Sequence, residues 1–298
     1  MKKLVSIYIT ILAVVFVLGL LMDINGGYEH ERVLWQIHND FQKMVDHPQS
    51  TPDRAILNII GRYEKFIFKY PKSPLAPKAQ LAMGKIYVFR NDHPKAREIF
   101  KQIIENYSYN TEVVAQAQFA IGKSYEDEDD WPNAYTQYKA IIRDYPLTFI
   151  GFSVPFYIGQ HYAARGPKKQ ADDAFGEAAE FYQNIAANHP GVPMEYAALR
   201  MLTACRLAQG KWTDAFYTAK RLMFQYPSAP TLFDTVKLIK DICEKNMNDS
   251  SCTVDTYTEF MHKNPGHPIN PMLNKIINNI NNPKHHNAAE HPIKEDEK

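Results

Sequence analysis

Residues 79–87 read AQLAMGKIY and residues 94–107 read PKAREIFKQIIENY; residues 117–125 read AQFAIGKSY and residues 132–145 read PNAYTQYKAIIRDY, so the second pair repeats the first 38 positions on. A repeat period in the thirties marks stacked helical hairpins. Within the first copy Ala79, Met83, Gly84 and Tyr87 fall on one helical face, and Ala96, Phe100 and Ile103 fall on another, which predicts two amphipathic helices per unit. Gly84 and Ala96 leave room for close backbone approach while Tyr87 and Phe100 fill the space beside them, the alternation of sizes that interdigitating helices need. Pro94 and Pro132 stand in the first turn of each second helix, where the missing N–H costs nothing.

Followed along the chain, the unit-closing position is Tyr70-Pro71, Tyr107-Ser108, Tyr145-Pro146, His189-Pro190, Tyr226-Pro227 and Asn264-Pro265, with steps of 37, 38, 44, 37 and 38. One interval therefore carries an insertion, expected in a loop at Arg165 to Asp173. Later units drift: Thr203 and Arg206 stand where Gly and Tyr are expected, although Ala215, Ala219, Leu222 and Pro227 keep the second helix. Such divergence fits capping units.

The constellation Gly122, Tyr125, Ala134, Tyr138, Ile141 and Pro146 resembles the tetratricopeptide repeat. That resemblance implies an all-α fold, a right-handed superhelical solenoid of antiparallel helix pairs over residues 51–280. Junctions such as Tyr70-Pro71-Lys72-Ser73-Pro74, leading to Ala76 and Ala79, look like the bacterial extracytoplasmic branch. They are similar to those of the BamD-type lipoproteins of the outer-membrane β-barrel assembly machinery and of the periplasmic Tol-Pal coordinator.

Residues 4–22, LVSIYITILAVVFVLGLLM, carry no charge, and at about 1.5 Å per residue they nearly span a ~30 Å hydrocarbon core. They predict one transmembrane helix within an anchor at 1–27, with a cleaved signal as the alternative. Lys2 and Lys3 before it, against Asp23, Glu29 and Glu31 after it, place the N-terminus in the cytoplasm and the repeats outside, the localisation of a single-pass inner-membrane protein. No cysteine stands near the end of the segment, so the chain departs from lipoproteins that are lipidated there. Leu34, Ile37, Phe41 and Met44 lie at helical spacing and predict a connecting helix over 28–50. Residues 281–298 read as a disordered polar tail.

The remaining composition is ordinary: 45% hydrophobic, 22% charged and a net charge of +1. Near-neutrality excludes a general nucleic-acid binder, which needs a concentrated basic face. Gly122-Lys123-Ser124 resembles the end of a phosphate loop, but Ala117 occupies the position of the required upstream glycine. The run Glu126 to Asp130 lacks the ligand alternation and internal glycine of a calcium loop and reads as a solvated turn pinned by Trp131. His285, His286 and His291 have no orienting partners in the sequence around them, so no metal is expected. Cys243 and Cys252 form either a disulfide or two free thiols, and Cys205 reads as a small buried hydrophobe. No HExxH, GxSxG or GxGxxG motif is present, so neither an enzymatic reaction nor a cofactor is expected.

Function is expected on the concave face. By the tetratricopeptide resemblance, the groove positions are Lys78, Leu81 and Lys85, then Gln116, Phe119 and Lys123, then Phe156 and Gln160. Lysines mixed with aromatics suit peptides, the partners being other envelope proteins. The alternatives are a component of the outer-membrane assembly machinery and, in another class, an envelope enzyme or hydrolase helper with its site in the 165–173 insertion.

Overall fold

The computed structural model describes residues 25–47 and 52–282. The uncharged stretch at 4–22 and the three tail histidines lie outside the described residues, among which no helix is long and apolar enough to cross a membrane. Thirteen α-helices and no strand occur among them: α1 Asn25–Asp46, α2 Asp53–Lys69, α3 Ala76–Phe89, α4 His93–Asn106, α5 Thr111–Glu126, α6 Trp131–Asp144, α7 Phe149–Arg165, α8 Lys168–Asn188, α9 Pro193–Ala208, α10 Trp212–Gln225, α11 Leu232–Asp241, α12 Ser250–Lys263 and α13 Asn270–Asn281. They divide into two compact units, Met1–Val154 and Pro155–Lys298. The boundary falls inside α7 at Pro155, whose ring removes the N–H that the Gly151 carbonyl would accept.

In the first unit the repeat sets both turns and packing. Asn91 and Asp129, 38 positions apart, take left-handed backbone with φ of 58° and 57°. The next residues, Asp92 and Asp130, then cap α4 and α6, their side chains accepting the N–H of Lys95 and Asn133 at 3.2 Å. A carboxylate there satisfies an otherwise orphaned helical donor. A Cβ on Gly84 would lie 2.3 Å from the Phe100 ring, and one on Gly122 would lie 2.4 Å from the Tyr138 ring. These two glycines thus let a fully buried ring press against helix backbone. Ala96 and Ala134 are fully buried beside those rings, and Tyr87 packs half-buried at the same contact. Arg97 lies over the half-buried Tyr125 ring at 4.3 Å.

The same device continues into the second unit, at a position the sequence reading did not use. A Cβ on Gly159 would lie 2.5 Å from the Phe175 ring. One unit later Thr203 replaces the glycine and Ala219 replaces the ring, both buried. Size is exchanged across the contact, and the Thr203 hydroxyl is satisfied by the Leu199 carbonyl at 2.8 Å. Arg206, in the place of the tyrosine, turns its guanidinium to the Asp214 carbonyl at 3.2 Å and to the Thr218 hydroxyl. Ala215 stays fully buried, and the Pro227 carbonyl lies 3.1 Å from His267.

Three expectations need correction. No insertion loop exists at 165–173, because residues from Lys168 onward are already in α8. Helix α8 has 21 residues where α4, α6 and α10 have 14. The excess lies at its C-terminal end, where the chain remains helical past Tyr182 to Asn188, whereas α4 and α6 stop just before the equivalent Tyr107 and Tyr145. Seven residues are about two helical turns, so they extend the helix without rotating its apolar face. Second, the helix expected at 28–50 begins at Asn25 and is more than a connector. Ile37, Phe41 and Met44 share a core with Ile56, Ile59, Tyr63 and Phe66 of α2, and Asp40 pairs with Arg62 at 2.6 Å. Third, the acidic run is only partly solvated. Glu126 is buried, accepting from the Tyr138 hydroxyl at 2.9 Å and pairing with Lys123 at 2.6 Å.

Near the C-terminal end, α11 runs into a π turn, Ile242–Asn246, within which the fully buried Cys243 is disulfide-bonded to Cys252 of α12. Closing so short a loop contributes about 2 to 3 kcal/mol by restricting the unfolded chain. Cys205 is a free, buried thiol, and burial pushes its pKa up to about 12. A thiol so rarely ionised is a packing group rather than a nucleophile.

Candidate functional site

The first unit carries a groove built by α1, α3, α5 and the start of α7. It consists of two adjoining cavities of ≈ 780 Å³ and ≈ 460 Å³ that share Leu81, Lys85 and Gln116. All six groove positions expected in this unit line it: Lys78 in the larger cavity, Phe119 and Lys123 in the smaller, and the three shared residues between them. Their roles differ, however. Leu81 is only 8% exposed and forms the floor. Lys78 and Lys85, seven residues apart on α3, are exposed and put two ammonium groups along the rim. Lys123 is tied to the buried Glu126, so it stiffens the end of the groove.

Phe119 and Phe156 are less free than a binding strip requires. Phe119 is half-buried with its ring centroid 5.3 Å from that of Tyr138, and Phe156 is half-buried with its centroid 5.3 Å from that of Phe175. Each stacks on the ring 19 residues ahead, so both belong partly to the repeat core. Phe156 and the exposed Gln160 lie on α7 in the second unit.

Sequence reasoning missed the opposite wall. Helix α1 lines the larger cavity with Leu34, Trp35, His38, Phe41 and Val45, and the Trp35 indole is 66% exposed. Trp35 and Val45 lie off the stripe of Leu34, Ile37, Phe41 and Met44 that packs α1 against α2. A helix with apolar residues on two faces was the available signal. The Tyr63 hydroxyl beneath this wall has no protein partner, and burial pushes its pKa up to about 12. At the mouth, Phe149 is 76% exposed, and its backbone N–H donates to Glu112 at 3.0 Å.

Apolar walls, a leucine floor and two rim cations suit a peptide segment with apolar anchors and carboxylates. Among the described residues, no group of three His, Cys, Asp or Glu side chains is placed to hold a metal ion.

The tetratricopeptide repeat family model matches residues 78–108 and 116–148, the stretches that contain most of α3 with α4 and most of α5 with α6. These two helix pairs are tetratricopeptide repeats. No curated protein matches the chain. Among solved structures it is similar to a tetratricopeptide repeat protein from Parabacteroides merdae, at 12% identity over 83% of this chain and 98% of that one, with a TM-score of 0.35. It is also similar to the TPR2AB domain of yeast Sti1 in its pHSP90 complex, at 9% identity over 85% and 98%, with a TM-score of 0.34. A third is the putative kinesin light chain with TPR-like repeats from Podosopora anserina, at 13% identity over 65% and 97%, with a TM-score of 0.37. Likenesses this loose do not bear on what the present chain binds.

Proposed function

We propose that this tetratricopeptide protein is a membrane-anchored scaffold of the bacterial envelope, its repeats outside the cytoplasm, which holds a segment of another envelope protein in the groove of its first unit. The carrying observation is that groove: an exposed Trp35 faces Leu81 across a cavity rimmed by Lys78 and Lys85. The disulfide between Cys243 and Cys252 supports an oxidising compartment, since thiols in the cytosol stay reduced. A place in an outer-membrane assembly machine, suggested by the Tyr-Pro junctions, is the narrower form of the same reading. The enzyme alternative has less behind it, because Lys168 to Asp173, most of the segment meant to house its site, form the first turns of helix α8.

Two experiments test the proposal. A reporter active only outside the cytoplasm, fused after Lys298, is expected to be active; activity of a cytoplasm-only reporter at that junction reverses the topology. For the groove, a photocrosslinker placed at Trp35 or Lys85 in intact cells should capture a defined protein that one at Leu57, exposed on α2, does not. Trp35→Ala should weaken binding of the captured segment by about thirtyfold, the ~2 kcal/mol typical of an aromatic anchor. Its effect on stability should stay within ~0.5 kcal/mol, as for other exposed side chains. Equal capture from Leu57 moves the binding surface off the groove.

A further inference from the structure

In the first unit, one edge gathers exposed aromatic side chains, alongside the dispersed carboxylates Glu29, Glu105, Glu112 and Asp144, and the other carries a run of four adjacent carboxylates. Consecutive helices run antiparallel, so the starts of α1, α3, α5 and α7 meet the ends of α2, α4 and α6. Hydrogen bonds pin that arrangement: Glu29 accepts from the Tyr70 hydroxyl at 3.0 Å and from Lys69 at 3.3 Å, Gln80 donates to Gln102 at 3.4 Å, and Glu112 accepts from the Phe149 N–H at 3.0 Å. On this edge stand Phe68, Tyr109, Leu147 and Phe149, which are 89%, 81%, 51% and 76% exposed. The joining segments 70–75, 107–110 and 145–148 contain no carboxylate, and the first contributes Lys72. The opposite edge holds the α3–α4 turn with Asp92 and the α5–α6 turn with Asp127, Glu128, Asp129 and Asp130.

The uncharged stretch of the sequence ends at Met22, and α1 begins at Asn25 on the aromatic edge. Three extended residues at up to ~3.5 Å and four helical ones at ~1.5 Å allow at most roughly 17 Å between Met22 and Glu29. From there α1 runs toward the acidic edge. If residues 4–22 anchor the chain as proposed above, the aromatic edge is the part of the unit nearest the bilayer. Aromatic rings and lysine are the side chains favoured at a membrane interface, whereas a run of four carboxylates is repelled by anionic headgroups.

We infer that the edge formed by Phe68, Tyr109, Leu147 and Phe149 is a second membrane contact, seated in the headgroup layer of a phospholipid bilayer, and that it holds the first unit in a fixed orientation with the acidic turns facing away. A single span tethers a domain without orienting it. A second, interfacial contact made from several rings does orient it.

The test uses the full chain in vesicles of phosphatidylethanolamine and phosphatidylglycerol. An environment-sensitive fluorophore is attached at Phe68→Cys, Tyr109→Cys or Phe149→Cys, and for comparison at Arg90→Cys or Asp127→Cys; the native cysteines are disulfide-bonded or buried and do not take the label. Quenching by lipids carrying a spin label near the headgroup is expected to be several-fold stronger at the three aromatic positions than at the other two. Equal, weak quenching at all five, in protein that stays with the vesicles through an alkaline wash, overturns the edge contact and leaves the anchor standing. Loss of the protein in that wash overturns the anchor and the edge contact together.

Discussion

Gly122→Ala is expected to destabilise the protein by roughly 2 to 3 kcal/mol, whereas the same change at Gly61 is expected to stabilise it by about 0.5 to 1 kcal/mol. The added methyl meets opposite surroundings at the two sites. At Gly122 it would arrive 2.4 Å from the Tyr138 ring. That ring is fully buried, lies against Phe119 and Trp131 at centroid distances of 5.3 Å and 5.9 Å, and donates its hydroxyl to Glu126 at 2.9 Å. It therefore has nowhere to go, and the overlap must be relieved by separating α5 from α6. At Gly61, in the middle of α2, no atom lies within 4 Å of a new Cβ, so only the conformational entropy of glycine in a helix is removed. Thermal and denaturant unfolding of the two variants gives the comparison directly, and a neutral Gly122→Ala would show that this contact is looser than described. The exchange of Thr203 for glycine and Ala219 for the ring two repeats on makes a further point. Gly122→Thr combined with Tyr138→Ala should lose less than the sum of the single changes, the coupling expected of residues in contact.

The helix pairs were legible in the sequence because their packing rule is local. A glycine sixteen positions before a ring, with a proline opening the second helix, states a close contact in residue types alone. The position of the extra seven residues was not legible. Gly166-Pro167 advertises a break, whereas the added turns of α8 keep the apolar stripe in phase and leave no mark on the pattern. The groove was half legible. Lys78, Lys85 and Gln116 are implied by the tetratricopeptide resemblance, but whether Phe119 is a wall or a core ring depends on how far it leans onto Tyr138. Trp35 was missed because one stripe of α1 was enough to explain the helix. The burial of Glu126 was hidden inside an acidic run, where four neighbouring carboxylates made solvation the natural reading.

Glu195 is expected to be the most costly single carboxylate to remove. It sits in the first turn of α9 with no exposed surface, and its oxygens accept from the Gly191 N–H at 2.6 Å, the Tyr226 hydroxyl at 2.7 Å, the Gln225 amide at 3.0 Å and the Arg221 guanidinium. Tyr226 is the closing tyrosine of its unit, just as Tyr70 closes the first and reaches Glu29. In both places a tyrosine at the end of one helix fastens a carboxylate at the start of its partner. Glu195→Ala would leave the half-buried Tyr226 hydroxyl without its acceptor, whereas the Gly191 N–H and the Gln225 amide belong to exposed residues and turn to water, and the loss should be about 1 to 3 kcal/mol, as when a buried hydrogen-bonding partner is removed. Arg221 is half-exposed and regains water, which favours the lower end of that range. The pH dependence separates the charge from the packing. Burial pushes the Glu195 pKa up, but the Gly191 N–H, Tyr226, Gln225 and Arg221 outweigh it and leave the value below the ordinary 4.5. A carboxylate depressed in the folded state stabilises fully above its unfolded pKa, and that stabilisation is lost as pH falls through the folded value. Glu259, held down to about 2 by Lys220 and Lys263, adds an acid-sensitive background common to all variants. The informative quantity is therefore the gap in denaturant midpoint between the natural protein and Glu195→Gln. It should be wide at pH 7 and narrow toward pH 3, and a gap that stays constant across that range would mean that the charge of Glu195 contributes nothing beyond its shape.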